Sequence, residues 1–275
     1  MASMGRTARA MAIGRSVKIA AWGDERPEHS GGFVRSDRPG SASAGRPLVT
    51  SWLGRIPYRA TWALQKRLAE DRAAGAIPDR LLLLEHEPVL TLGRHADPRH
   101  VLAPPELLAE RGIEVVRVER GGEVTYHGPG QLVAYPIVAL GERDLGVRAF
   151  VRLLETALAE TCAAFGVDAG PRPGHPGCWC DPAGPLPRKI GALGLRIERG
   201  VSYHGIALNV DLDLGAFELI DPCGLPGLRS TSIAAELARR DPVVRPPSVE
   251  AVARRFARAF AEGIGAVLVD DRDGP

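Results

Sequence analysis

Short apolar segments with strand character recur through the middle of the chain, and helical patterns interrupt them without regular alternation. That arrangement limits the fold more than any other feature. Residues 81–84 and 88–92 form two such runs, 113–118 a third and 131–138 a fourth. Two more, 189–197 and 201–210, are separated by Glu198-Arg199-Gly200, which reads as a turn. A helix is expected from Tyr58, just after Pro57, to about residue 74. The clearest helix carries Val147, Phe150, Val151, Leu154, Leu158, Thr161, Cys162 and Phe165 on one stripe. A last helix, 249–264, takes Ser248 as N-cap and sets Val249, Val252, Phe256 and Phe260 on one face. Strands and helices mixed in this way predict an α+β (mixed α/β) fold, a mixed sheet with helices on one side. The expected organisation is a disordered tail over 1–46, one catalytic domain over 47–268 and a short C-terminal tail over 269–275.

A chain of 275 residues, 45% hydrophobic, can bury one sizeable core. The formal net charge of +2 gives no electrostatic footprint for nucleic acid. No apolar run approaches the roughly 18–20 residues of a membrane span. Four cysteines (162, 178, 180 and 223) without a secretory segment read as reduced thiols in a cytoplasmic protein.

The densest unusual segment is Arg120-Gly121-Gly122-Glu123-Val124-Thr125-Tyr126-His127-Gly128-Pro129-Gly130-Gln131. Four glycines and a proline in twelve residues are expected to exclude regular structure and to let backbone approach a ligand. It is neither a phosphate loop nor a dinucleotide fingerprint. Cys223 lies between Pro222 and Gly224, a loop setting in which sulfur need not pack in a core. Cys162 sits on an apolar helical stripe and reads as core filling. Lys189 opens a strand pattern in parity with Gly191, Leu193, Leu195 and Ile197. There it is either paired or neutral facing inward, or snorkels to solvent from the strand edge. His204 shares parity with Ile206 and Leu208, which suits a core histidine as well as a site residue. Cys178 and Cys180, after His175, lack a second ligand pair at finger distance, so the zinc signal is weak.

Four blocks in order carry a resemblance. Arg120-Gly-Gly-x-x-Thr-Tyr-His127-Gly-Pro-Gly-Gln131-x-x-x-Tyr135-Pro136 is followed by Lys189-Ile-Gly-Ala-Leu-Gly-Leu-Arg196, by Tyr203-His204-Gly205-x-Ala207-Leu208-Asn209, and by Asp221-Pro222-Cys223-Gly224. Together they resemble the octanoyltransferases of lipoate biosynthesis. The resemblance implies a biotin- and lipoate-protein ligase fold, related to class II aminoacyl-tRNA synthetases. It implies Cys223 as acyl-thioester nucleophile and Lys189 as its partner. It also implies an acyl-substrate site built from Arg120, Gly121, Gly122, Glu123, Val124, Thr125, Tyr126 and His127, from Ala192, Leu193 and Gly194, and from Gly205, Ile206 and Ala207. His127 and His204 are expected to line that site without acid–base duty.

The implied partners are octanoyl-acyl carrier protein as donor, and lipoyl domains of 2-oxoacid dehydrogenases and the glycine cleavage H protein as acceptors. No cofactor, metal, nucleic acid or membrane enters the expectation. Acyl exchange between thioesters is roughly isoenergetic and transfer to an amine runs downhill, so no ATP is required. Three rivals share parts of the pattern: an ATP-dependent lipoate or biotin ligase, a silent carrier-binding module, and a thioesterase. A nucleophilic Cys223 paired with Lys189 disfavours the first two; product analysis separates the third. Each methylene contributes about 0.8 kcal/mol on burial, so only modest discrimination among acyl lengths is expected.

Overall fold

The structure, a computed structural model, describes residues 45–222, 228–271 and 275. Cys223 and almost all of the expected N-terminal tail lie outside the described residues. Strand β1 (Arg46–Ile56) meets Pro57 and turns into helix α1 (Tyr58–Ala73). Then come β2 (Asp79–His86), β3 (Val89–Leu92), α2 (Pro105–Glu110), β4 (Glu114–Arg117), β5 (Val124–His127) and β6 (Gln131–Ile137). Helix α3 (Val147–Ala164) precedes β7 (Gly170–Arg172), β8 (His175–Cys180), β9 (Arg188–Glu198) and β10 (Val201–Asn209). The chain closes with β11 (Arg229–Ser230), α4 (Ile233–Arg240), α5 (Val249–Gly263) and β12 (Ala266–Asp270).

The main sheet runs β12-β1-β2-β6-β10-β9-β8-β7, with β11 joined to β9. Its β12–β1–β2 end is parallel and the strands from β2 to β7 pair antiparallel, so the sheet is mixed as expected. Helices were expected on one side only, and this is corrected. Leu81 and Leu83 face a core shared with Phe150, Leu154 and Leu158 of α3 and Phe256 and Phe260 of α5. Leu82 and Leu84 face the opposite way, against Leu68 and Ala69 of α1. Four consecutive leucines leave no polar face to hand to water, so both faces must be covered. Each such leucine contributes about 1.5–3 kcal/mol by its burial. Helix α5 starts where the sequence predicts: the Ser248 hydroxyl accepts the Ala251 N–H at 3.2 Å.

The glycine-rich segment was expected to be irregular, and this too is corrected. Its glycines flank a strand: Val124-Thr125-Tyr126-His127 forms β5, which pairs with β3 in a separate sheet ordered β4-β3-β5. β-branched and aromatic residues in the middle suit a strand even between turn formers.

One irregularity shapes the main sheet. Pro136 lies inside β6, where it has no N–H to donate. Ile206 pairs with Ala134, and Ser202 N–H donates to the Val138 carbonyl, so the β6–β10 ladder is interrupted between them, opposite Pro136. Three groups repair the gap. The Ser202 hydroxyl donates to the Pro136 carbonyl at 2.7 Å and accepts the Val138 N–H at 3.1 Å. His204 turns into the left-handed region, φ +55°, and gives its N–H to Gln65 Oε1 of α1 at 2.8 Å. Gly205 then passes so near β6 that a Cβ there would stand 2.0 Å from the Ala134 oxygen.

Candidate active site

A narrow cavity of about 70 Å³ opens on the α1 side of the sheet, between β6, β9 and β10 and the β5 segment. Of the site residues expected from sequence, Lys189, Arg120, Gly122, Glu123, Val124, Thr125, His127, Ala192, Leu193, Gly194, Gly205, Ile206 and Ala207 all line it. Gly121 and Tyr126 do not. Gly121 instead docks the loop on β9, its N–H donating to the Leu195 carbonyl at 2.9 Å. Tyr126 points into the core beneath the small sheet, edge-on to Phe217, and its burial raises the phenol above its ordinary range. The Glu123 carboxylate also turns aside, accepting the Asp97 N–H at 3.2 Å and standing 3.1 Å from His100 Nδ1.

Arg120 is 7% exposed and braces the loop rather than reaching outward. Its guanidinium donates to the Thr91 hydroxyl and carbonyl of β3, and to the Gly121 carbonyl. Lys189 lies with Nζ 5.1 Å from the centre of the Trp179 ring, within cation–π reach. Gly177, at φ +127°, makes room for it: a Cβ there would meet the lysine Cε at 2.9 Å. At Lys189 the neighbour of β9 changes from β10 to β11, and the Thr231 N–H donates to the Lys189 carbonyl at 2.9 Å. A second, smaller cavity of about 20 Å³ adjoins this point. Lys189, Thr125, Gln131 and Asn209 line it together with Pro222 and Leu228, the described residues on either side of 223–227.

The walls are polar in an ordered way. His127 Nδ1–H donates to Gln131 Oε1 at 2.7 Å. Gln131 Nε2 donates to Asn209 Oδ1 at 2.9 Å and to the Tyr126 carbonyl at 3.2 Å. Asn209 Nδ2 passes the chain on to the Thr231 carbonyl at 2.8 Å. The tautomer of His127 is thereby fixed, with Nε2 left as the unprotonated nitrogen. Burial pushes the His127 imidazole down to about 3, so it is neutral near pH 7. Its ring stacks on Tyr58, 6.2 Å between centres. Behind it, His86 donates from Nδ1 to the Ile56 carbonyl and accepts the Tyr135 hydroxyl at Nε2, and burial lowers it to about 4.

Tyr58, Val133, Tyr135 and His204 complete the cavity. Tyr58 and Gln65 carried no sequence signal. The face that α1 buries holds Tyr58, Thr61, Gln65 and Arg72 beside Leu68 and Ala69, too polar for hydrophobic periodicity to mark. Cys178 and Cys180 are buried in β8 as strand packing, and Cys162 in the core under α3. Hydrogen bonding to Cys178, together with burial, raises the Cys162 thiol far above its ordinary range. Among the described residues no group of histidine, cysteine and carboxylate side chains is placed to hold a metal ion. Nor is any described helix long and apolar enough to cross a membrane.

Comparison with known proteins places the chain in a family. The lipoyl protein ligase A/B catalytic domain model matches residues 57–261. An octanoyltransferase of Acidobacterium capsulatum is 46% identical over 220 residues, 77% of this chain and 89% of the relative. One of Chloroflexus aggregans is 47% identical over 199 residues, covering 72% and 89%. In fold the chain is similar to a bipartite lipoate protein ligase of Thermoplasma acidophilum, with a TM-score of 0.60 over 82% of this chain and 86% of that one, at 18% identity. On the family model and these relatives together, the chain belongs to the octanoyltransferase family and shares the lipoyl protein ligase A/B catalytic domain.

Proposed function

We propose that this acyltransferase moves an octanoyl group from octanoyl-acyl carrier protein to a lysine of a lipoyl domain, through a thioester on Cys223. The observation that carries the reading is the position of Lys189. It borders the main cavity, whose middle is walled by Val124, Val133, Ala192, Leu193, Ile206 and Ala207. It also borders the small cavity flanked by Pro222, the residue bonded to Cys223. The apolar middle suits an acyl chain, and the lysine suits the carbonyl end. Residues 47–268 are the catalytic domain in this reading; β1 begins at Arg46 and β12 ends at Asp270.

A free cysteine has a pKa of about 8.5, so a nearby ammonium favours the reactive thiolate. The Cys223 thiolate attacks the donor thioester carbonyl, the bond from that carbon to the carrier's sulfur breaks, and the Lys189 ammonium protonates the departing thiolate. The acceptor lysine's amine then attacks the new thioester, the carbon–Cys223 bond breaks, and its proton passes to the now neutral Lys189. The neutral His127 keeps Nε2 as an acceptor on the cavity wall and adds no charge against the ammonium.

The test is intact-mass analysis after incubation with octanoyl-acyl carrier protein, with and without ATP. An octanoyl adduct labile to hydroxylamine is expected without ATP, absent as a thioester in Cys223→Ser. Lys189→Ala is expected to slow acylation at least 100-fold while leaving the fold intact. Turnover that requires ATP and free acid, or normal acylation of Lys189→Ala, would overturn the proposal.

A further inference from the structure

We infer that His204 is the end wall of the acyl channel and sets the length of chain the enzyme accepts. The inference rests on the acyl-transfer reading above. From Lys189 to Gly194 the cavity follows β9 for five residue steps, roughly 16 Å at strand rise. At its far end stand Gly194, Gly205 and His204. One residue further along β10 the chain faces a different cavity, of about 430 Å³, lined by Tyr203, Arg196 and Glu119 of the loop before Arg120, and by Lys66 of α1. His204 is therefore the partition between the two spaces. Its ring stacks on Tyr203 and meets Tyr135 edge-on, and it is 1% exposed.

Two further observations point to a wall with a polar face. Neither ring nitrogen of His204 has a hydrogen-bond partner among the described residues, and neither does Nε2 of the adjoining Gln65. The nearest charge, the Glu119 carboxylate, lies 3.9 Å from His204 Nε2, beyond hydrogen-bond range. The ring itself closes the end of the channel, so an acyl chain that stops short leaves it in place. A longer chain must push the imidazole aside or lay methylenes against its unpartnered nitrogens, which outweighs the gain from a further buried methylene. Length discrimination is then sharper than an apolar tunnel alone gives. The left-handed backbone of His204, opposite Pro136 and held by Gln65, is what turns the imidazole across the channel.

The experiment is a competition. The full chain, H204G and H204N are each given equimolar octanoyl- and dodecanoyl-acyl carrier protein plus a lipoyl domain, and the two acylated products are counted by mass. Glycine and asparagine both tolerate positive φ, so both variants keep the backbone. The ratio within one tube does not depend on how much protein folded. The parent is expected to favour octanoyl at least tenfold, and H204G to shift that ratio toward dodecanoyl by at least tenfold, with H204N between. An unchanged ratio in an active H204G overturns the wall. So does loss of all transfer in both variants with parental circular dichroism, which would place His204 in the chemistry instead. Absence of octanoyl transfer by the parent would strike the transfer reading itself.

Discussion

Replacing Gln131 by leucine tests whether the amide chain behind the cavity acts as a unit. Gln131 is almost fully buried and makes three hydrogen bonds: it accepts from His127 and donates to Asn209 and to the Tyr126 carbonyl. Leucine fills a similar volume, so packing changes little and the lost polar contacts dominate. Each stranded group costs about 1–3 kcal/mol, so Gln131→Leu is expected to lose about 3 kcal/mol or more in urea denaturation. The double variant sharpens the argument. Asn209→Leu alone strands Gln131 Nε2 in part and the Thr231 carbonyl fully. With both changes, the Gln131–Asn209 contact has neither partner left to strand. The double variant should therefore be more stable than the sum of the singles by about 1–3 kcal/mol. A second readout is the His127 ring: with Gln131 gone, the proton is no longer held on Nδ1, and imidazole ¹⁵N shifts should report a mixture of tautomers. Additive losses and an unmoved tautomer would refute the idea that these side chains are coupled.

Other outcomes follow from the same geometry. Gly205→Ala sets a Cβ 2.0 Å from the Ala134 oxygen and 2.8 Å from Pro136 Cδ, so the β6–β10 pairing must open. A loss of about 4 kcal/mol or more, or failure to accumulate soluble protein, is expected, and a melting temperature near the parent's would contradict the contact. Burial holds His86 at about 4 and His127 and His204 at about 3, against 6.5 unfolded. Because the unfolded chain then binds more protons, stability is full above pH 6.5 and falls as pH drops from there toward 3. At pH 5 the loss is about 2 kcal/mol per histidine, and melting temperatures that stay flat between pH 7 and pH 5 would show the rings to be charged or exposed.

The elements legible in the sequence are those whose burial pattern is apolar and periodic. The α3 stripe, the four leucines of β2, the β9–β10 turn and the Ser248 cap all appear within a residue or two of expectation. Strand β1 was missed because Arg46, Gly54 and Arg55 break its alternation, and β12 because it is short and two of its apolar residues, Val267 and Val269, stay half exposed at the sheet edge. The two-sided cover of the sheet was misread for a related reason. The helix that covers the second face, α1, buries a threonine, a glutamine and an arginine, so it does not announce itself as amphipathic.

The site divides along the same line. Glycine positions and motif polar residues mark where backbone approaches a cavity, and the loop, the lysine strand and the Gly205 stretch do converge on one. What no linear pattern carries is which side chains inside a motif turn away, as Tyr126 does, and which outside it turn in, as Tyr58 does. That choice is made by pairing. Pro136 gives β10 no N–H and its carbonyl takes the Ser202 hydroxyl, while the His204 N–H goes to Gln65 with the backbone in the left-handed region, and the ring stands between two cavities. The proline inside β6 thus marks the point where β10 leaves the ladder, and its replacement is expected to be felt first at the histidine opposite it on the neighbouring strand.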